Sequence, residues 1–131
     1  MSTKVSAAII QNEDGDILIC QRKAGGSCAF LWEFPGGKQE EFETAEECLI
    51  RECLEELDVK IEIIGLFKQK EYSYPEKKIF FSFYKAQIVD GNLKMIVHNN
   101  LTWSPIDELS KYTFCPADID IINKIVESEK I

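Results

Sequence analysis

The sequence Thr44-Ala45-Glu46-Glu47 marks the start of a helix. Thr44 followed three residues later by Glu47 is a capping-box pattern, in which hydroxyl and carboxylate satisfy two of the free N–H groups that begin a helix. The spacing predicts a helix from near Ala45, with Ala45, Cys48, Leu49, Cys53 and Leu57 close to i, i+3, i+4 as a stripe for burial. On the same helix Glu52, Glu55 and Glu56 stand at i, i+3 and i+4, so three carboxylates of one sign share a face. Lys38 to Asp58 hold nine acidic and two basic side chains, a net of −7 out of −8 for the whole chain. A chain folding around this helix needs positive charge there. Arg51 reaches Glu55 at i+4 but cannot serve three carboxylates at once.

Clustered carboxylates beside Gly36-Gly37 suit a hard cation that takes oxygen, Mg²⁺ or Mn²⁺. The plainer alternative is a solvated, Glu-rich helix face. The full spacing favours the cation. Gly37, Glu43, Arg51-Glu52, Cys53, Glu55-Glu56 and Val59 resemble the Nudix box, and only Asp58 departs, standing where that family has Gly. That residue ends the helix at positive φ, which Asp tolerates at modest cost. The preceding Trp32-Glu33-Phe34-Pro35-Gly36-Gly37-Lys38 is similar to the lead-in of the MutT-like branch.

The resemblance implies one Nudix domain over residues 1–131, an α/β (α+β) fold in which a mixed sheet lies between helices as an α/β/α sandwich. The activity implied is Mg²⁺-dependent hydrolysis of a nucleoside triphosphate to the monophosphate and pyrophosphate, with Mn²⁺ as a substitute. Glu52 and Glu56 are then the leading metal ligands, Glu55 shares that role or acts as base, and the Gly36 carbonyl is a further ligand. Arg51 would orient the carboxylates and Glu43 the loop before the helix; Arg22 and Lys38 are candidate phosphate partners. For Lys38 an ion pair with a neighbouring Glu is an equal alternative. In Pro116-Ala117-Asp118 the resemblance makes Asp118 a reader of the base, against the ordinary role of a capping or dipole partner at a helix start. A carboxylate there accepts from N4 of cytosine, or from N1–H and N2 of an oxidised guanine. CTP or dCTP and 8-oxo-dGTP are accordingly the leading substrates.

A second departure bears on catalysis. MutT-like sequences carry Glu-His a few residues before the Trp that is Trp103 here, and this chain has Val97-His98. The missing carboxylate keeps open a nucleotide-binding domain with little hydrolysis, alongside a hydrolase for ADP-ribose or a dinucleoside polyphosphate. A plain acidic interaction domain is the remaining alternative.

At 131 residues and 45% hydrophobic the chain has room for one proper core. No run resembles a leader or a membrane span, so a soluble, cytoplasmic protein is expected, as monomer or homodimer. Five cysteines without a Cys-x-x-Cys pair read as reduced residues in or near the core. The net charge of −8 argues against a nucleic-acid polymer and in favour of a small nucleotide bridged by metal. The single histidine, His98, reads as a half-buried or surface residue.

Strands are predicted at Lys4 to Gln11, Ile17 to Arg22, Val59 to Tyr74 and Lys78 to Asp90, with short ones at Leu31 to Phe34 and Leu101 to Trp103. The second long strand is apolar on both faces and should be central, its aromatic stripe core. A flexible loop is expected over Ala24 to Ala29, and a terminal helix burying Ile119, Ile122, Ile125 and Val126.

Overall fold

The computed structural model describes residues 2–26 and 28–128, so Ser27 of the expected loop lies outside the described residues. The strands are β1 (Ser2–Ile10), β2 (Ile17–Gln21), β3 (Trp32–Glu33), β4 (Gly36–Lys38), β5 (Lys60–Tyr74), β6 (Lys77–Asp90) and β7 (Asn100–Ser104). Four form a mixed sheet of order β4-β1-β6-β5, in which β1 runs parallel to β6 and the other pairs are antiparallel. The other three form an antiparallel sheet of order β3-β2-β7.

Period-two alternation sorts the core into two layers. Ala7 and Ile9 of β1 and Ile17 and Ile19 of β2 pack with Ile121, Ile122 and Ile125 of α2 (Ile119–Ser128). The intervening Ala8, Ile10, Leu18 and Cys20 pack instead with Leu49, Cys53 and Leu57 of α1 (Ala45–Leu57). Helices therefore cover both faces, as the expected α/β/α sandwich requires. Leu49 is fully buried, and Leu49→Ala should cost about 2–5 kcal/mol. Strand β6 is interior as expected; Phe83 and Tyr84 are core, Phe81 packs against it with its ring stacked on Phe83 at 5.6 Å between centroids, and Phe80 is half-buried outside both clusters.

The capping box forms. Thr44 Oγ1 accepts from Glu47 N–H at 3.0 Å, and Glu47 Oε1 accepts from Thr44 N–H at 2.9 Å. At the other end Asp58 takes the left-handed conformation, φ 57° and ψ 37°, and donates its N–H to Leu54 O at 3.0 Å. Asp58 thus does what a Gly would do there, and Lys94 Nζ stands 3.1 Å from its carboxylate.

The terminal helix departs from expectation in phase. Ile119 is exposed, while Ile121, Ile122 and Ile125 are buried and Val126 only partly so. A 3-10 turn over Pro116–Asp118 precedes α2. Ile121 and Ile125, at i and i+4, together with Ile122 define the buried face of α2, and at 3.6 residues per turn Ile119 falls outside it.

Candidate active site

Strand β4 brings Gly36-Gly37 against α1, and each glycine stands at a close approach, Gly36 to backbone and Gly37 to the Glu52 side chain. A Cβ at Gly36 would stand 2.0 Å from Ser6 O of β1. One at Gly37 would stand 1.8 Å from Glu52 Oε2, so the absent side chain is the room the Glu52 carboxylate occupies.

On α1, Glu52 and Glu56 turn inward and Glu55 faces out: their side chains are 15%, 19% and 58% exposed. Burial raises the Glu52 carboxyl above its usual range, against the pull of Arg51. The Glu56 carboxyl is pushed up to about 8, by burial first and then by Glu52 and Glu33, while the Gly36 N–H favours its charged form. Two partly buried carboxyls in this state are short of positive charge.

Arg51 spends its guanidinium on the rim. Its Nε and Nη2 grip Glu43 in a bidentate pair at 2.7 and 3.0 Å, Nη2 also donates to Lys38 O at 3.1 Å, and Nη1 meets Glu55 at 3.1 Å and Glu52 at 3.7 Å. Glu43 accepts in addition from Glu40 N–H at 2.9 Å, and the hydrogen bond from Arg51 holds its carboxyl at about 2. The loop before α1 is thereby tied to the helix. Of Lys38 only the carbonyl takes part: its side chain is exposed and makes no ion pair among the described residues.

A second arm meets the same carboxylates. Arg22, just past β2, pairs through Nη1 with Glu33 Oε1 at 3.0 Å. Glu33 Oε2 accepts from His98 Nε2 at 3.2 Å, and that nitrogen is 4.0 Å from Glu56 Oε1. His98 is buried, contrary to its reading as a surface or half-buried residue, and Glu33 gives its ring a polar partner there. Asp118 is buried in the turn before α2, and burial, then the charge of Glu33, raise its carboxyl well above the usual range against Lys70, Arg22 and the Phe34 N–H. Lys70 Nζ reaches Ala117 O at 3.3 Å and pairs with Asp120. Glu33, His98 and Lys70 are site neighbours that the sequence did not reveal. Their contacts span 65, 42 and 47 or more positions, out of range of any local spacing rule. The one available sign was Glu33 itself, a charge between Trp32 and Phe34 in a two-residue strand.

Among the described residues no three His, Cys, Asp or Glu side chains form a ready-made metal cage. The donor set still suits a hard divalent cation. It is all oxygen, its two inward carboxyls are both raised by burial and Glu56 also by Glu52, and Mg²⁺ keeps several waters and needs only one or two protein carboxylates.

A sequence model of the NUDIX domain matches residues 6–124. The chain belongs to the Nudix family. It is 42% identical over 123 residues to the 8-oxo-dGTP diphosphatase of Haemophilus influenzae, covering 94% of this chain and 90% of that one. Against the CTP pyrophosphohydrolase of Escherichia coli it is 34% identical over 119 residues, 91% and 87% of the two chains. The solution structure of the E. coli ORF135 protein superposes with a TM-score of 0.84 at 31% identity, covering 98% of this chain and 91% of that one. This Nudix chain also has no helix, among its described residues, long and apolar enough to cross a membrane.

Proposed function

We propose that this Nudix hydrolase cleaves a nucleoside triphosphate with water into the nucleoside monophosphate and pyrophosphate, using Mg²⁺. The observation that carries the reading is the inward pair Glu52 and Glu56 against Gly36-Gly37, two carboxyls raised by burial for which Arg51, shared with Glu43 and Glu55, is too little positive charge. Glu52, Glu56 and the Gly36 carbonyl hold the cation. When bound, Mg²⁺ offsets the charge of the polyphosphate and lowers the pKa of a coordinated water. Glu55, exposed at the rim, is the candidate to accept a proton at its free carboxylate oxygen. Arg51 and Glu43 keep the helix and its loop in register, and Arg22 offers guanidinium N–H groups to a phosphate, with the exposed Lys38 as a second candidate cation.

Asp118 is the proposed reader of the base. Burial raises the Asp118 carboxyl and so favours its protonated form, which presents one donor and one acceptor. That pair matches the N3 acceptor and N4 amino donor of cytosine, whereas a charged carboxylate matches two donors, as on N1 and N2 of an oxidised guanine. The neutral form supports CTP or dCTP ahead of 8-oxo-dGTP, and relatives of both names support the class.

The test is a panel of NTPs, dNTPs, 8-oxo-dGTP, ADP-ribose and diadenosine polyphosphates with Mg²⁺. CTP or dCTP should rank first by kcat/KM, with 8-oxo-dGTP next. Turnover confined to ADP-ribose or dinucleotides would overturn the substrate class.

A further inference from the structure

The imidazole of His98 is costly as it stands. Its side chain is only 4% exposed, and Nδ1 finds no hydrogen-bond partner among the described residues. Among the described residues it is the other ring nitrogen that meets polar side chains. Nε2 faces two carboxylates, Glu33 Oε2 at 3.2 Å and Glu56 Oε1 at 4.0 Å. The Glu33 carboxylate only accepts, so Nε2 is the donor to it.

Anchoring the loop does not account for the ring. The next residue, Asn99, already pins the chain to β2, through its N–H to Gln21 O at 2.9 Å and its side-chain amide to Gln21 Oε1 at 2.7 Å. What the imidazole adds is a link across the site. Glu33 is held at both oxygens, by His98 on one and by Arg22 on the other, and the far side of the same ring nitrogen looks onto the helix carboxylate Glu56.

We propose that His98 is a positioning residue, whose Nε2–H fixes Glu33 and through it the Arg22 guanidinium, coupling the arm that meets phosphate to the carboxylates of α1. This rests on the proposed function for what Arg22 and Glu56 do with a substrate, but not for the coupling itself.

The experiment compares H98Q and H98N in the full chain, both checked for native melting. The Gln amide nitrogen reaches the place of Nε2, and the Asn amide stops short of it. Three quantities are read: kcat and KM for the best nucleoside triphosphate with Mg²⁺, Mn²⁺ affinity by electron paramagnetic resonance without nucleotide, and the Arg22 Nε–H resonance by NMR without metal or nucleotide. H98N should raise KM and weaken Mn²⁺ about tenfold, the scale of lost outer partners, change kcat less, and release the Arg22 resonance into solvent exchange. H98Q should stay within about twofold of wild type on each. An Arg22 resonance unmoved in folded H98N overturns the proposal, as does H98Q falling as far as H98N. A wild type without turnover, in which H98N still releases Arg22, supports the coupling and overturns the hydrolase reading instead.

Discussion

Glu56→Gln turns the electrostatics of the site into a stability measurement. In the metal-free protein the Glu56 carboxyl sits at about 8, against 4.5 for a free side chain. Between those values the folded state binds more protons than the unfolded one, so stability falls as pH rises through the window and the cost is fully present above pH 8. At about 1.4 kcal/mol per pKa unit, the cost is under about 1 kcal/mol at pH 5, about 3 at pH 7 and nearly 5 by pH 9. Glutamine keeps an acceptor for the Gly36 N–H and carries no charge. In EDTA, Glu56→Gln should therefore melt near wild type at pH 5 and about 10 °C above it at pH 7, taking roughly 3 °C per kcal/mol for a chain of this size. Saturating Mg²⁺ should raise the wild type, by about 2.7 kcal/mol at a hundred times Kd, and leave the variant unmoved. Turnover in the variant should drop by about 10²-fold or more, the scale of losing one preorganised stabilising group. Scanning calorimetry from pH 5 to 9 with and without Mg²⁺ reads all but the last. A variant with the wild-type pH slope in EDTA would refute the reasoning.

Other substitutions probe the remaining parts. Gly37→Ala puts a methyl where Glu52 Oε2 stands, and should weaken Mg²⁺ binding about tenfold or more by calorimetric titration while folding natively. Asp118→Asn mimics the neutral acid, so fold and cytidine preference should survive, whereas Asp118→Ala should flatten the nucleotide ranking in the same panel. Asp58→Gly relieves the left-handed cap at φ 57°, and should raise the urea midpoint by the equivalent of up to about 1 kcal/mol with kcat unchanged. Arg51→Lys gives up the bidentate grip on Glu43, and should lower kcat about tenfold without changing the circular dichroism.

The parts of the fold legible in the sequence were those written in local spacing. Thr44 and Glu47 announced α1, Glu52 and Glu56 at i, i+4 announced its inward carboxyls, and Asp58 in a Gly position announced a left-handed cap that is observed. Period-two apolar residues in β1 and β2 foretold a layer covered on both faces. Local spacing misled at Ile119, which lies outside the face of α2 that Ile121, Ile122 and Ile125 bury. It also set Glu55 on one face with Glu52 and Glu56, although Glu55 lies exposed at the rim, paired with Arg51. Nothing local joined Arg22, Glu33, His98 and Glu56, because three strands and a helix must pack before those side chains meet. A lone histidine without a spaced partner therefore looked ordinary.

The measurement that bears most directly on the account follows products from the preferred nucleoside triphosphate with the purified chain, in Mg²⁺ and in EDTA, scoring pyrophosphate, phosphate and monophosphate separately. Equal amounts of pyrophosphate and monophosphate, formed in Mg²⁺ and absent in EDTA, are the expected result. Products unaffected by EDTA, or phosphate released in place of pyrophosphate, would contradict it.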